Sequence, residues 1–431
     1  MDARSFTCGL AVARRLKWCT AGLLAGVLGL ACSACSDGSA GAPQVRLDAG
    51  PGSAVFDTPV HIAVRGLPSG LVTVRALTHD SQGRLWRSAA VFRVGRAGTL
   101  NLARAVPVSG SYHVADAAGL LWSLRPAFTH TPATQFFMGA TGFTVRLQVL
   151  AGGRVLAAGT LVRRFSLASR PTVQTVRRDG FASTLFLPGR ARPGAPAVVV
   201  ISGSSGGEDT FTAEALAMDG YPALALGYFK EPGLPGCLCA IRLEYFARAV
   251  GWLRAQPTTR DRPLVLFGAS RGAEGALLVA SYEPHLVNAV VASSPSYLIN
   301  SSYGGRPGPA WTFHGKPLPV QTDIPVSHIR VPVLLADGGQ DSIWDSAGSA
   351  TAIVDELKGA SDPAPYVNLY YPRAGHAFLG EPPYVPYAWY GANGPDGGTQ
   401  QANALADEQS WVKMINFLNN PWKRVDSVQK G

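Results

Sequence analysis

Two patterns of hydrophobic residues predict the fold class: a β-sandwich followed by a mostly parallel α/β sheet covered by helices on both faces. From Gln44 to about Ser169, short segments alternate apolar and polar residues between turn signals, the period of half-buried strands. Beyond Gly194 the strands become continuous apolar runs, such as Ala197–Ile201 and Leu264–Phe267, separated by helical segments. Such strands are buried on both faces, as in parallel sheets. At 431 residues, 47% apolar and 15% charged, the chain is a compact globular protein with room for two or three domains of roughly 150 residues each.

In the first pattern, Val60–Arg65 alternates, Gly66–Gly70 turns the chain and Leu71–Thr78 resumes. Asp80–Arg84 marks a further turn before Trp86–Val94, and Gly110–Ala115 and Phe143–Leu150 continue the series. Strands at this spacing predict a sandwich, placed at residues 43–169, held without any cysteine. Its histidines, His61, His79, His113 and His130, are scattered singly and read as packing or surface residues.

Residues 1–42 resemble an export signal: a basic stretch to Lys17, the 11-residue apolar run Ala21–Ala31, then a small, polar tail. That run is too short for a permanent membrane span. Cys32 and Cys35 follow at once, as in a bacterial lipoprotein whose first mature residue is a lipid-bearing cysteine; ordinary cleavage after Ala34 or Ala42 is the alternative. The expectation is therefore an exported protein of the bacterial envelope, tethered through a lipidated cysteine or free, and a cytoplasmic one if the segment is no signal. Without the first 35 residues the net charge falls from +10 to +7. The remaining basic residues form no aromatic-interleaved cluster, which argues against nucleic acid as a partner. Of six cysteines only Cys237 and Cys239 lie in the body of the chain, too few for a disulfide scaffold. Their C-x-C spacing suits a tight bridge and lacks the further ligands of a metal site. No metal or cofactor is expected.

Residues 170–194 read as a linker and entry hairpin, 195–422 as the catalytic α/β domain and 423–431 as a tail. Within the domain, strands are expected at Ala197–Ile201, Tyr221–Gly227, Leu264–Phe267, Leu286–Ala292, Val331–Ala336 and Tyr366–Tyr371. Helices are expected up to Met218, over Ile241–Ala255, after Gly272, over Ala347–Lys358 and over about Gln401–Leu418.

The chemistry centres on Gly268-Ala-Ser270-Arg-Gly272, a G-x-S-x-G pattern between an apolar strand and a small-residue helix. In that context the serine is a nucleophile on a tight turn, flanked by glycines so that its Oγ stands clear of the sheet. In α/β-hydrolases the acid and then the histidine follow in chain order, each on a loop after a strand. Asp341 is the chosen acid, past two glycines after the strand at 331–336; Asp337 and Asp345 are its neighbours in competition. His376 follows the last strand, whereas His285, His314 and His328 all precede the acid. Ser270 would attack, His376 would carry the proton and Asp341 would hold the imidazole. The oxyanion donors would be the N–H of Arg271 and that of Ser204 or Ser205, in the small-residue loop Ser202–Gly207. Glu274 is either structural or substrate-orienting, and Tyr384, Tyr387, Trp389 and Tyr390 either pack or line a pocket.

Taken as a set, these segments resemble the acyl-CoA thioesterase and bile-acid-CoA:amino-acid N-acyltransferase family. The resemblance rests on Gly119–Pro126, Ser202–Gly207, Ala223–Phe229, Leu243–Phe246, the serine turn, Gly339–Trp344, Ala374–His376 and Glu381–Tyr384. It implies an immunoglobulin-like sandwich followed by an α/β-hydrolase, with nucleophile, acid and histidine at Ser270, Asp341 and His376. It further implies a small acyl thioester as substrate; the alternatives are an exported carboxylesterase or acyltransferase that uses the same triad on an ester, or a non-catalytic envelope-binding protein. Conjugating members of the family carry cysteine as nucleophile, so Ser270 points to water as the acceptor.

Overall fold

The computed structural model describes residues 44–51, 53–129, 134, 136–139, 141–164, 170–178, 180–376, 383–384 and 396–420. The expected signal segment and tail, with Cys32 and Cys35, lie outside these residues, as do His130, Tyr387, Trp389 and Tyr390.

The N-terminal part is a two-sheet sandwich. A three-stranded sheet joins Arg46–Asp48, Ala63–Arg65 and Thr99–Asn101. It faces a larger antiparallel sheet built on Gly70–His79, Leu85–Val94, Gly142–Ala151 and Arg154–Arg164. Val72, Val74 and Ala76 alternate inward, and with Trp86, Phe92, Val145, Leu147 and Val149 they form its core. The Asp80 turn sets the register: its carboxylate accepts the N–H of Gln82 and of Arg84, at 3.0 and 2.9 Å, and the indole of Trp86 at 3.1 Å. The expected strand at Gly110–Ala115 shrinks to Ser109–Gly110. There the Ser111 N–H still donates to the Ala89 carbonyl at 2.7 Å, but the Ala89 N–H goes to the Ser111 hydroxyl at 2.9 Å in place of a backbone carbonyl, and the pairing ends. Arg154–Arg164 is a strand that sequence reading missed.

The C-terminal part is built on an eight-stranded sheet. Its strands are β1 (Thr172–Arg178), β2 (Phe181–Leu187), β3 (Ala197–Ile201), β4 (Ala223–Gly227), β5 (Leu264–Ala269), β6 (Ala289–Ser293), β7 (Val333–Gly338) and β8 (Tyr366–Tyr371). The spatial order is β1-β2-β4-β3-β5-β6-β7-β8, antiparallel through β1, β2 and β4 and parallel from there on. This is the α/β-hydrolase architecture, with the serine strand β5 central between β3 and β6. The segment expected as a linker and entry hairpin contains a hairpin whose two strands belong to this sheet. Phe181–Phe186 is fully buried, because β2 completes the sheet where the parallel strands end.

Helices cover both faces: α1 (Thr210–Met218), α2 (Leu243–Ala255), α3 (Arg271–Tyr282), α4 (Ser346–Gly359) and α5 (Gln400–Asn419). On α2 the residues Leu243, Phe246, Ala249, Val250 and Leu253 turn inward at helical spacing. Separate apolar clusters fill the two faces of the sheet. Helix α5 also meets the sandwich: Gln400 donates to the carbonyl of Trp122 at 2.7 Å, and Tyr384 donates to Glu408 at 2.8 Å beneath the buried Arg163. Tyr384 therefore packs between the two parts. A small sheet of Ile241–Arg242, Trp311–Phe313 and Lys316–Pro317 was not foreseen; His314-Gly315, both at positive φ, closes its hairpin.

Candidate active site

Strand β5 ends at Ala269 and α3 begins at Arg271, so Ser270 alone turns the chain, at φ 56° and ψ −119°. A side chain held at such a backbone conformation is strained and must be over-determined by its surroundings. The flanking glycines supply that. A Cβ on Gly268 would lie 2.1 Å from the carbonyl oxygen of Gly272, and one on Gly272 would lie 2.3 Å from that of Ile201 on β3. Both distances are far inside van der Waals contact, so only glycine fits either position.

The turn carries Ser270 to His376: its Oγ lies 2.8 Å from Nε2, and Nδ1 lies 2.8 Å from Oδ2 of Asp341. The Asp341 side chain is 1% exposed, and its Oδ1 accepts the N–H groups of Ile343 and Trp344 at 2.9 and 3.2 Å. These bonds fix the carboxylate so that its other oxygen faces the imidazole. The acid and histidine loops are pressed together by glycines: a Cβ on Gly338 would stand 2.1 Å from the Gly375 carbonyl. Gln340 N–H reaches the Ala374 carbonyl at 2.9 Å, and Asn403 of α5 accepts the Gly375 N–H at 2.8 Å.

The competing residues lie elsewhere. Asp337 is buried at the end of β7, where burial pushes its carboxyl up to about 8. Asp345 caps α4 by accepting the Gly348 N–H at 2.8 Å. His314 pairs with Glu244 at 3.5 Å on the surface, and His285 and His328 are exposed. Glu274 resolves as structural. Fully buried in α3, it accepts the Trp311 indole at 2.7 Å and the Asn300 N–H at 2.8 Å, and it pairs with Arg271 at 3.1 Å. Burial raises its pKa and Arg271 opposes the rise.

The loop after β3 reaches the serine. A Cβ on Gly203 would touch Ser270 Cβ at 3.3 Å and Oγ at 3.9 Å, so this backbone lies against the reactive side chain. Ser204, next along, is half-buried, and Ser205 is exposed with its carbonyl accepting from Lys230 at 3.1 Å. Arg271, as first residue of α3, presents an N–H with no acceptor inside its own helix.

Sequence reasoning did not assign two supports of His376. The Ser294 hydroxyl, just past β6, donates to the His376 carbonyl. Trp344 sets its ring edge-on to the imidazole at 5.0 Å and donates to the Ser294 carbonyl at 3.2 Å. The signal for Ser294 was its place at the carboxyl end of a parallel strand, where ligand-facing residues gather in such sheets. Among the described residues no three His, Cys, Asp or Glu side chains are grouped as metal ligands.

Residues 57–177 match the family model for the acyl-CoA thioester hydrolase/BAAT N-terminal region, and residues 241–305 and 314–423 match that for the BAAT/acyl-CoA thioester hydrolase C terminus. Ser270, Asp341 and His376 all fall within the second match. The mouse mitochondrial acyl-coenzyme A thioesterase 2 is 31% identical, over 85% of this chain and 87% of its own. Rat acyl-coenzyme A thioesterase 1 is 30% identical, over 85% and 94%. The human mitochondrial acyl-coenzyme A thioesterase 2 is 30% identical, over 85% and 82%. These relatives correct the expected placement in the bacterial envelope: they are mammalian proteins, two of them mitochondrial by name. The expectation rested on a basic, acid-poor start before an apolar run. Basic, acid-poor composition is also that of organelle transit segments, so it does not specify export.

Proposed function

Because the chain belongs to the acyl-CoA thioester hydrolase/BAAT family, we propose that it hydrolyses acyl thioesters through an acyl-serine intermediate. The observation that carries this reading is the continuous Ser270–His376–Asp341 relay, with both links at 2.8 Å. His376 Nε2 takes the Ser270 proton as Oγ attacks the thioester carbonyl, and Asp341 holds the Nδ1–H tautomer and offsets the imidazolium charge. The oxyanion is received by the N–H of Arg271 and by that of Ser204 or Ser205, preorganised dipoles aimed where charge develops. Collapse expels the thiol, protonated by His376, and water activated by the same imidazole releases the acid.

The sandwich is read as immunoglobulin-like, in keeping with its two-sheet architecture. Ser270 as nucleophile favours water over an amine as acceptor. Turnover of an acyl-CoA panel beside p-nitrophenyl esters tests the substrate class. Thioesters are expected to be cleaved by the wild type and not by Ser270→Ala; cleavage of the simple esters alone would refute the thioester reading.

A further inference from the structure

One pair of reactive side chains stands outside the relay. Cys237 and Cys239 are joined as a disulfide, Cα to Cα 5.3 Å, in the segment that follows β4, and both are half-buried. That segment is braced on two sides. On one, Lys230 donates its backbone N–H to the Pro235 carbonyl at 2.7 Å and its Nζ to the Ser205 carbonyl at 3.1 Å. On the other, Leu238 and Tyr303 exchange backbone hydrogen bonds at 3.0 and 3.1 Å, and Ala240 N–H reaches the Pro309 carbonyl at 2.9 Å. The strand of chain so held, 300–309, receives the Arg271 guanidinium on the Ser301 carbonyl at 3.0 Å. It is also moulded to the sulfurs, for a Cβ on Gly305 would meet Cys239 Sγ at 2.7 Å and Cys237 Sγ at 2.8 Å. The cysteine segment thus contacts the loop of Ser204 and Ser205 and the loop that seats Arg271.

We propose that Cys237–Cys239 is a thiol–disulfide exchange site for small thiols, including the thiol that the reaction releases, and that its opening loosens both oxyanion donors. A thiolate attacks one Sγ, forming a mixed disulfide while the Cys237–Cys239 bond breaks and the other cysteine leaves as thiolate. A second thiolate attacks the small thiol's sulfur in the mixed disulfide, a small-molecule disulfide forms, and the protein cysteine leaves as thiolate. Two small thiols are oxidised to one disulfide, and the protein pair gains two electrons and two protons. The freed sulfurs must move from the bonded separation of about 2 Å to non-bonded contact. Both sulfurs lie against Gly305, so their separation presses on 300–309, and the Lys230 loop, tied to the same segment, follows. The rate consequence rests on the hydrolase reading; the exchange does not.

The test incubates the oxidised full chain with coenzyme A or 2-mercaptoethanol. It maps the 231–242 peptide by mass spectrometry and times fluorophosphonate labelling of Ser270 in parallel. Expected are a one-thiol adduct followed by the dithiol form on that peptide, and labelling slowed about fivefold or more with circular dichroism unchanged. The Cys237→Ser/Cys239→Ser double variant should label at the slow rate with or without thiol. A peptide that keeps its disulfide under excess thiol, or labelling at one rate in both redox states, overturns the proposal. Failure of Ser270 to label in either state would instead strike the hydrolase reading, and the adduct would still decide the exchange.

Discussion

The two sheets of this protein bury their residues differently. Strand Gly70–His79 of the sandwich alternates buried and half-buried positions, so each side chain belongs either to a core or to the surface. Strands β3 and β4 of the catalytic sheet are buried at all five positions. A sheet covered on both faces has no surface of its own on which to place chemistry. The residues of the candidate site gather on the loops past its carboxyl edge, where Gly203, Ser270, Ser294, Asp341 and His376 follow β3, β5, β6, β7 and β8. Stability is spread over both parts, whereas reactivity is confined to one edge.

The widest separation of the two comes from paired variants. Ser270→Ala should lower thioester turnover by about 10⁴-fold or more with the melting curve unchanged. Trp86→Ala, emptying the sandwich core, should cost about 3–5 kcal/mol in denaturant unfolding yet leave fluorophosphonate labelling per folded molecule near that of the wild type. Loss of labelling in the folded Trp86 variant would break the contrast. Gly272→Ala drives a Cβ to 2.3 Å from backbone oxygen and should cost about 3 kcal/mol and most of the activity, since it displaces the serine turn. Gly83→Ala meets no atom within 4 Å and bears only the strain of φ +74°, about 1 kcal/mol, without loss of activity.

Asp337 gives a pH-dependent effect. Its folded pKa of about 8 lies above the ordinary 3.8, so between those values the native state binds more protons than the unfolded chain, and stability falls as pH rises toward 8. Asp337→Asn removes that loss. Its unfolding free energy should exceed the wild type's by more than about 1 kcal/mol at pH 8 and match it near pH 4. A gain that is constant with pH would contradict a buried, protonated carboxyl at this position.

The serine turn, the acid and the histidine were legible because each is marked by local sequence: an apolar strand, a glycine and a reactive side chain in fixed order. The hairpin β1–β2 was half legible. It reads as an entry hairpin, but its membership in the sheet depends on pairing with β4, a contact across about forty residues that no local pattern records. Ser294 and Trp344 were legible as members of a strand end and a motif, not as supports of His376, because that role exists only where three loops converge. The expected strand at Gly110–Ala115 fails for a local reason, the Ser111 hydroxyl intercepting Ala89, which hydrophobic alternation does not encode. Composition misled most at the N-terminus, where a basic, acid-poor start suits more than one destination.

As nucleophile, Ser270 should receive the acyl group of a thioester. Mass spectrometry of the protein quenched during turnover of an acyl-CoA panel tests it directly. Expected is a mass increase equal to the acyl group on the peptide carrying Ser270, absent from Ser270→Ala and accumulating when His376 is replaced after acylation is forced with an activated ester. An acyl adduct on another residue, or one that persists in Ser270→Ala, would contradict it.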